Sequence, residues 1–291
     1  MKKILLATTM LMGAATMANA QAVTITGEGR MGIRAIDFLG TSVWTQDSRL
    51  RLNFNVLVEA DHGLTFGAWT RAQMGSVWPG TATLGVFSGS RVWVEASNVR
   101  LTFGNADGAV ASYGTSHGWL GGCMVGYEGG QICGDAGGLT LVTHQEISGG
   151  SSPAQAMISY DAGGYSVAVS HQRGGTTEVA GRASFGAFTV AAGYINTIDA
   201  WTVSGHYNGG AWGVGALVAD IGPNTNWSLS GTVDVGGGTA YGYIGEVFGF
   251  NTYGLSYGYG LGGGAVLTVG AEHLDAGAGI TTGSIGVTFT F

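Results

Sequence analysis

Six arginines, Arg30, Arg34, Arg49, Arg51, Arg71 and Arg100, sit at alternating positions within stretches whose other residues are mostly apolar. In "DSRLRLNFNVLV" (47–58), Arg49, Arg51, Asn53 and Asn55 alternate with Leu50, Leu52, Phe54 and Val56. A guanidinium is permanently charged and offers five donors in a planar fork. Such a row can attract anions or grip carboxylates, and it supplies neither nucleophile nor general base. Neighbouring β-strands lie ~4.8 Å apart, so arginines on adjacent strands merge into one positive patch. The structural alternative is that they pair with Glu28, Asp47 and Glu95 to hold a seam.

Other sites with chemical potential are weaker. "GEGRMG" (27–32) matches a dinucleotide-binding glycine pattern, but the alternation continues through Met31 and Ile33 where a helix would have to begin. "GTSHG" (114–118) and "GLSYG" (254–258) match a nucleophile-elbow pattern; Ser256 lies inside a strand, and adjacent Ser116 and His117 are poorly disposed to act as nucleophile and base. The six histidines show no ligand spacing, which gives no metal site. Cys123 and Cys133 lie close together in a glycine-rich segment, and in an exported chain they are expected to form a disulfide.

The elements that must carry the arginines are strands. Val23, Ile25, Met31 and Ile33 alternate with Thr24, Thr26, Glu28, Arg30 and Arg34; "WTVSGHY" (201–207), "WSLSGTVDV" (227–235) and "SIGVTFTF" (284–291) repeat the pattern. Sixteen such segments run from 23–35 to 283–291, with tight Gly- and Asn-rich turns after the even-numbered ones. An even number suits a closed antiparallel barrel. One connection, 106–153, is far longer than a compact domain ordinarily tolerates without a function. Aromatics on the apolar phase fall in two rows, Trp212, Phe188, Tyr165, Tyr207, Tyr259 and Phe291 against Trp201, Trp227, Tyr194 and Tyr253, as girdles edging an apolar band ~25 Å tall would.

Bulk properties agree. Residues 1–20, ending Ala18-Asn19-Ala20 after an apolar run, form an expected secretory signal cleaved after Ala20. The remaining 21–291 is a single barrel domain with nine Arg, no Lys and 18 acids, a balance of −9 that argues against nucleic acid. Charged residues make up 10% of the chain against 45% apolar, far below the ~25% of a soluble surface, so much of the exterior needs a non-aqueous neighbour.

"GEGRMGI", "SRLRLNFNV", "DHGLTFGAWTRA", "RLTFGNADGA" and the terminal "GVTFTF" together resemble the general diffusion porins, closest to the short-chain, 16-stranded trimeric type of alphaproteobacteria. The resemblance implies an all-β, 16-stranded antiparallel transmembrane barrel in the Gram-negative outer membrane, with a long third external loop folded into the lumen. It implies a homotrimer amid outer-membrane lipid and lipopolysaccharide, passing ions and small hydrophilic solutes without a cofactor. On this reading 106–153 is the constriction loop, and its acids Asp107, Glu128 and Asp135 face a pore-lining wall of Arg30, Arg34, Arg49, Arg51, Arg71 and Arg100. Phe291 resembles the aromatic end read during assembly, and 75–90 resembles a loop that latches onto a neighbouring subunit. The loop is poorer in acids than the family's and carries the Cys123–Cys133 pair, which leaves a loop calcium site without support. The rivals are a substrate-selective channel, for which Trp69 and Trp93 on the polar phase offer a short aromatic track, a non-conducting adhesive barrel, and a hydrolase using Ser116.

Overall fold

Alternating side chains let one face of each strand meet lipid while the other meets the interior, and closing the sheet on itself leaves no unpaired edge. A computed structural model, which describes residues 22–38, 40–77, 81–116, 125–129, 139, 142–149 and 154–291, has this form. The strands are β1 (Ala22–Phe38), β2 (Thr41–Glu59), β3 (Leu64–Val77), β4 (Thr81–Phe87), β5 (Arg91–Ala96), β6 (Val99–Gly104), β7 (Gln155–Asp161), β8 (Tyr165–Gln172), β9 (Thr177–Phe185), β10 (Phe188–Ile195), β11 (Ala200–Asn208), β12 (Trp212–Ile221), β13 (Asn224–Val235), β14 (Gly238–Val247), β15 (Phe250–Gly262), β16 (Ala265–Leu274) and β17 (Ile280–Thr290). Apart from β4 and β5, which both pair with β3, each pairs antiparallel with its sequence neighbours, and β1 pairs with β17 to close the ring.

Two of the seventeen strands share one position in the wall. β4 pairs with the far half of β3 (Ala72–Val77) and β5 with its near half (Leu64–Trp69), separated by an irregularity at Ser88–Ser90. The wall is therefore sixteen strands around. The stretch 75–90, which resembles a latching loop, is thus mostly strand, with β3 reaching Val77 and β4 running from Thr81 to Phe87. The β1–β2 hairpin is likewise longer than the alternation suggested, reaching Phe38 and Thr41.

Chain closure depends on glycine. Gly27 N–H donates to the Phe291 carbonyl at 2.8 Å and Phe291 N–H returns a bond to Gly27 at 3.1 Å. The rings of Phe289 and Phe291 lie over Gly29 and Gly27, where any Cβ would collide with them. Outward-facing residues form the apolar exterior: Val23, Ile25, Val167, Leu229, Ile244 and Leu255 are all exposed. Phe188, Tyr207 and Trp212 make a chain of ring contacts at the short-turn end, at 4.6 and 5.1 Å. Tyr194 and Trp201 face one another across the ladder at the other. Among the described residues no helix is long and apolar enough to cross a membrane.

The long connection after β6 turns inward. It contains α1 (Ala109–Tyr113), whose Ala109, Val110 and Ala111 are buried with Leu139 against inward-facing Ala168, Ala180, Ile195, Leu217, Ala219 and Ile221. Apart from the arginine cluster, the inward phase of the strands is mostly Gly, Ser and Thr in the sequence. On β8–β12 near the loop end it is instead apolar, because the loop covers it and the two form a small dry core.

Candidate functional site

The β1–β2 register fixes the positive wall. It pairs Glu28 with Arg51, Arg30 with Arg49, Gly32 with Asp47 and Arg34 with Thr45, all on the inward phase. On β3, Arg71 faces Asn53 and Gln73 faces Arg51; on β5, Arg91 faces Trp69. Leu50, Leu52 and Phe54, which alternate with these arginines, point the other way.

Every expected wall arginine meets a carboxylate. Arg30 Nε lies 2.8 Å from Asp47 Oδ2, and Arg49 is hydrogen-bonded to Glu28, which Arg51 also approaches at 3.8 Å. Arg71 Nη2 lies 2.7 Å from Glu146 Oε1. Arg34 Nε is 3.8 Å from Glu128. Arg100 stands apart from the other five, near the short-turn end, pairing with its register partner Glu95 at 2.5 Å and lying over Trp93. The three acids weighed as seam partners, Glu28, Asp47 and Glu95, are all engaged.

Two charged residues outside the expected set belong to the site. Arg91 opens β5 on the inward phase, and its Nη1 is 2.6 Å from Glu146 Oε2, so Glu146 bridges Arg71 and Arg91. Both guanidiniums lie over the Trp69 ring, at 4.8 and 4.2 Å from its centroid. Trp69 is 4% exposed, which removes it from any aromatic track along the lumen. The signal for Arg91 was its phase with Trp93 and Glu95; standing at the start of its strand, it had no preceding residue to show that phase.

The loop acids touch the wall as well. Asp107 accepts the Glu146 N–H at 2.8 Å, and burial, opposed by that bond, pushes its carboxyl up. Glu128 is buried beside Arg34, and burial again pushes its carboxyl up. Tyr127, next to it, donates to Asp47 at 3.2 Å and lies against Gly32 and Gly286, where a Cβ would come within 2.6 Å of its ring. Asp135, Cys123 and Cys133 lie outside the described residues.

Across the barrel the loop is held by neutral and acidic groups. Ala109 N–H donates to Ser170 Oγ at 2.9 Å and Ser116 N–H to Ser204 Oγ at 2.8 Å. Ser116 is buried, and its backbone takes part in this docking. Glu178, an inward residue of β9 that the alternation placed on the polar phase, accepts N–H bonds from Val110 at 2.8 Å and His144 at 2.9 Å. Between the loop segment 126–129 and the inner faces of β13–β17 lies a cavity of about 810 Å³, lined by Tyr127, Asp234, Thr239, Ser256 and Thr268 among others. No cluster of acids, histidines or cysteines among the described residues could hold a metal ion.

Comparison with known proteins gives one consistent answer. The description "Gram-negative porin" matches residues 7–279. A porin of Fuscovulum blasticum is 32% identical over 94 residues, which is 31% of this chain and 31% of that relative's length. Two solved variants of Rh. blastica porin, carrying two and five substitutions, superpose with TM-scores of 0.79 and 0.78 at 21% identity, over 93% of this chain and all of theirs.

Proposed function

This chain belongs to the family of Gram-negative porins, outer-membrane channels for passive diffusion and not enzymes, and from that premise we propose that its barrel conducts ions and small hydrophilic solutes. The observation that carries the proposal is the polarity of the wall. Charged Arg30, Arg49, Arg51 and Arg71 point inward while Val23, Ile25, Leu229 and Leu255 point outward. An arginine facing lipid at the midplane costs ~2–4 kcal/mol, so this pattern calls for a wet interior.

On this reading residues 21–291 form the mature barrel after removal of 1–20, and 106–153 is the constriction loop, closed by a Cys123–Cys133 disulfide. The barrel assembles as a homotrimer amid lipid and lipopolysaccharide. Selection works by width and by the field of the lumen charges. Six arginines, Arg30, Arg34, Arg49, Arg51, Arg71 and Arg91, meet four carboxylates, Glu28, Asp47, Glu128 and Glu146, and Asp107 lies beside Glu146, which leaves one positive charge in excess on this wall. The pore therefore favours anions locally against the chain's overall negative charge. Purified protein in a planar bilayer tests the proposal: stepwise conductance is expected, and its absence sinks the porin function. Saturable block by one sugar would move the protein to the substrate-selective class.

A further inference from the structure

We infer that Glu178 is the positioning residue of the constriction: its carboxylate clamps two distant segments of the inward loop to one point on the wall, and so sets the width of the passage. The inference rests on the channel function and loop role proposed above.

Glu178 is 1% exposed, on the inward face of β9. Its two oxygens are divided between two parts of the loop. Oε2 accepts the N–H of Val110, in the first turn of α1, and Oε1 accepts the N–H of His144, on the loop's return. These two segments also bond directly to one another, through Gly108 N–H and the His144 carbonyl at 2.9 Å. Gly108 lies flush against the carboxylate, so close that a Cβ there would collide with both of its oxygens. The carboxylate forms no ion pair among the described residues, in contrast to Glu28, Asp47, Glu95, Glu128 and Glu146 on the facing side. Its hydrogen-bonding capacity toward the protein is therefore spent on loop backbone.

Backbone N–H groups pointing at both oxygens of one carboxyl make a demand that few side chains meet. Serine or threonine offers a single acceptor atom, and glutamine offers one acceptor and sets its own N–H₂ against the second donor. The charged acceptor also strengthens each bond relative to a neutral one. The other anchors on this side, Ser170 Oγ for Ala109 and Ser204 Oγ for Ser116, each hold one N–H and cannot join the outgoing to the returning segment. The join matters for the passage because the returning segment continues to Glu146, which grips Arg71 and Arg91 on the far wall. Loss of the clamp uncouples the outgoing from the returning segment and loosens the α1 side, which Ser170, Ser204 and the apolar contacts hold only in part, and the passage widens and fluctuates without the barrel opening.

The test compares wild type with Glu178→Gln, which keeps the shape and removes one acceptor, and with Gly108→Ala, which leaves the wall untouched and pushes the loop away from the carboxylate. In Gly108→Ala the Val110 and His144 amides are expected to exchange hydrogen together, and in Glu178→Gln at least one of them, at least about tenfold faster than in wild type, as loss of a charged hydrogen bond implies. Strand amides and heat-modifiable migration of the folded barrel should stay as in wild type. In bilayers both variants should add a larger, fluctuating conductance level and admit larger uncharged polymers. Unchanged exchange and conductance in Glu178→Gln, or acceleration at only one of the two amides in Gly108→Ala, overturns the clamp. Absence of conductance in wild type would instead overturn the channel function on which it rests.

Discussion

Arg30 and Arg49 stand directly opposite one another across the β1–β2 ladder. Like charges in that relation repel, and each is neutralised by an acid two residue pairs away along the ladder, the next on the same face: Asp47 for Arg30, Glu28 for Arg49. The two acids differ in exposure, with side chains 5% and 34% exposed. Asp47→Asn is therefore expected to cost about 3 kcal/mol, because it strands a buried guanidinium. Glu28→Gln should cost about 1 kcal/mol, since water can replace part of what is lost. Urea unfolding of the barrel in lipid vesicles measures both, and an equal or reversed ranking would contradict the assignment of Asp47 as the buried partner.

Replacing both Arg49 and Arg51 with alanine removes two positive charges from the lumen wall and leaves Glu28 facing water. Each exposed pair contributes under about 1 kcal/mol, so the ratio of cation to anion permeability should rise by no more than roughly fivefold. The reversal potential across a salt gradient reads this directly. An unchanged potential would make the two arginines seam residues only.

Acidification should act through Glu128 with an unusual sign. Burial, working against its bonds to Ser284 and its own backbone and against the nearby Arg34 and Arg30, raises its carboxyl above the ordinary 4.5. A raised carboxyl holds its proton more tightly in the docked loop than in a free one, so docking there strengthens as pH falls and weakens as pH rises through the raised value. Lowering the pH toward 4.5 should therefore leave the segment seated while removing a negative charge beside Arg34. Selectivity moves toward anions, by less than about threefold for one screened charge. Glu128→Gln should show the shifted selectivity at neutral pH and lack the upper part of the transition; an identical pH profile in wild type and variant would exclude Glu128 as its source.

Gly27 has room for no side chain beneath the Phe291 ring. Gly27→Val forces that ring off the seam, with an expected cost of about 1–3 kcal/mol from overpacking. Phe291→Ala in the Gly27→Val background should recover part of the loss, since the collision partner is gone. The fraction of chain migrating as folded barrel after refolding into detergent measures both, and no recovery in the pair would place the damage elsewhere.

How much of this was legible in the sequence depended on whether the two faces of a strand differed. β1 and β2 read clearly because arginine and acid alternate with Val, Ile and Leu. β12 did not, since Leu217, Ala219 and Ile221 face inward while Val214 and Val218 face out, and apolar residues on both phases conceal the dry core beneath the loop. β4 was hidden behind Trp78-Pro79-Gly80. The loop's path is a matter of tertiary fit: nothing in its composition tells that Tyr127 seats over Gly32 and Gly286, or that Glu146 would bridge two arginines.

The seam between β1 and β17 joins the first and last strands, with eleven residue pairs from Glu28–Thr290 to Phe38–Ile280. A chain lacking residues 280–291 would retain every other strand and still be an open sheet, with β1 and β16 each presenting a bare row of donors and acceptors that hydrocarbon cannot satisfy. Closure is all or nothing, and it waits on β17. The fold thereby proofreads its own synthesis: a truncated copy cannot become a smaller pore, only an unfinished sheet that the membrane rejects.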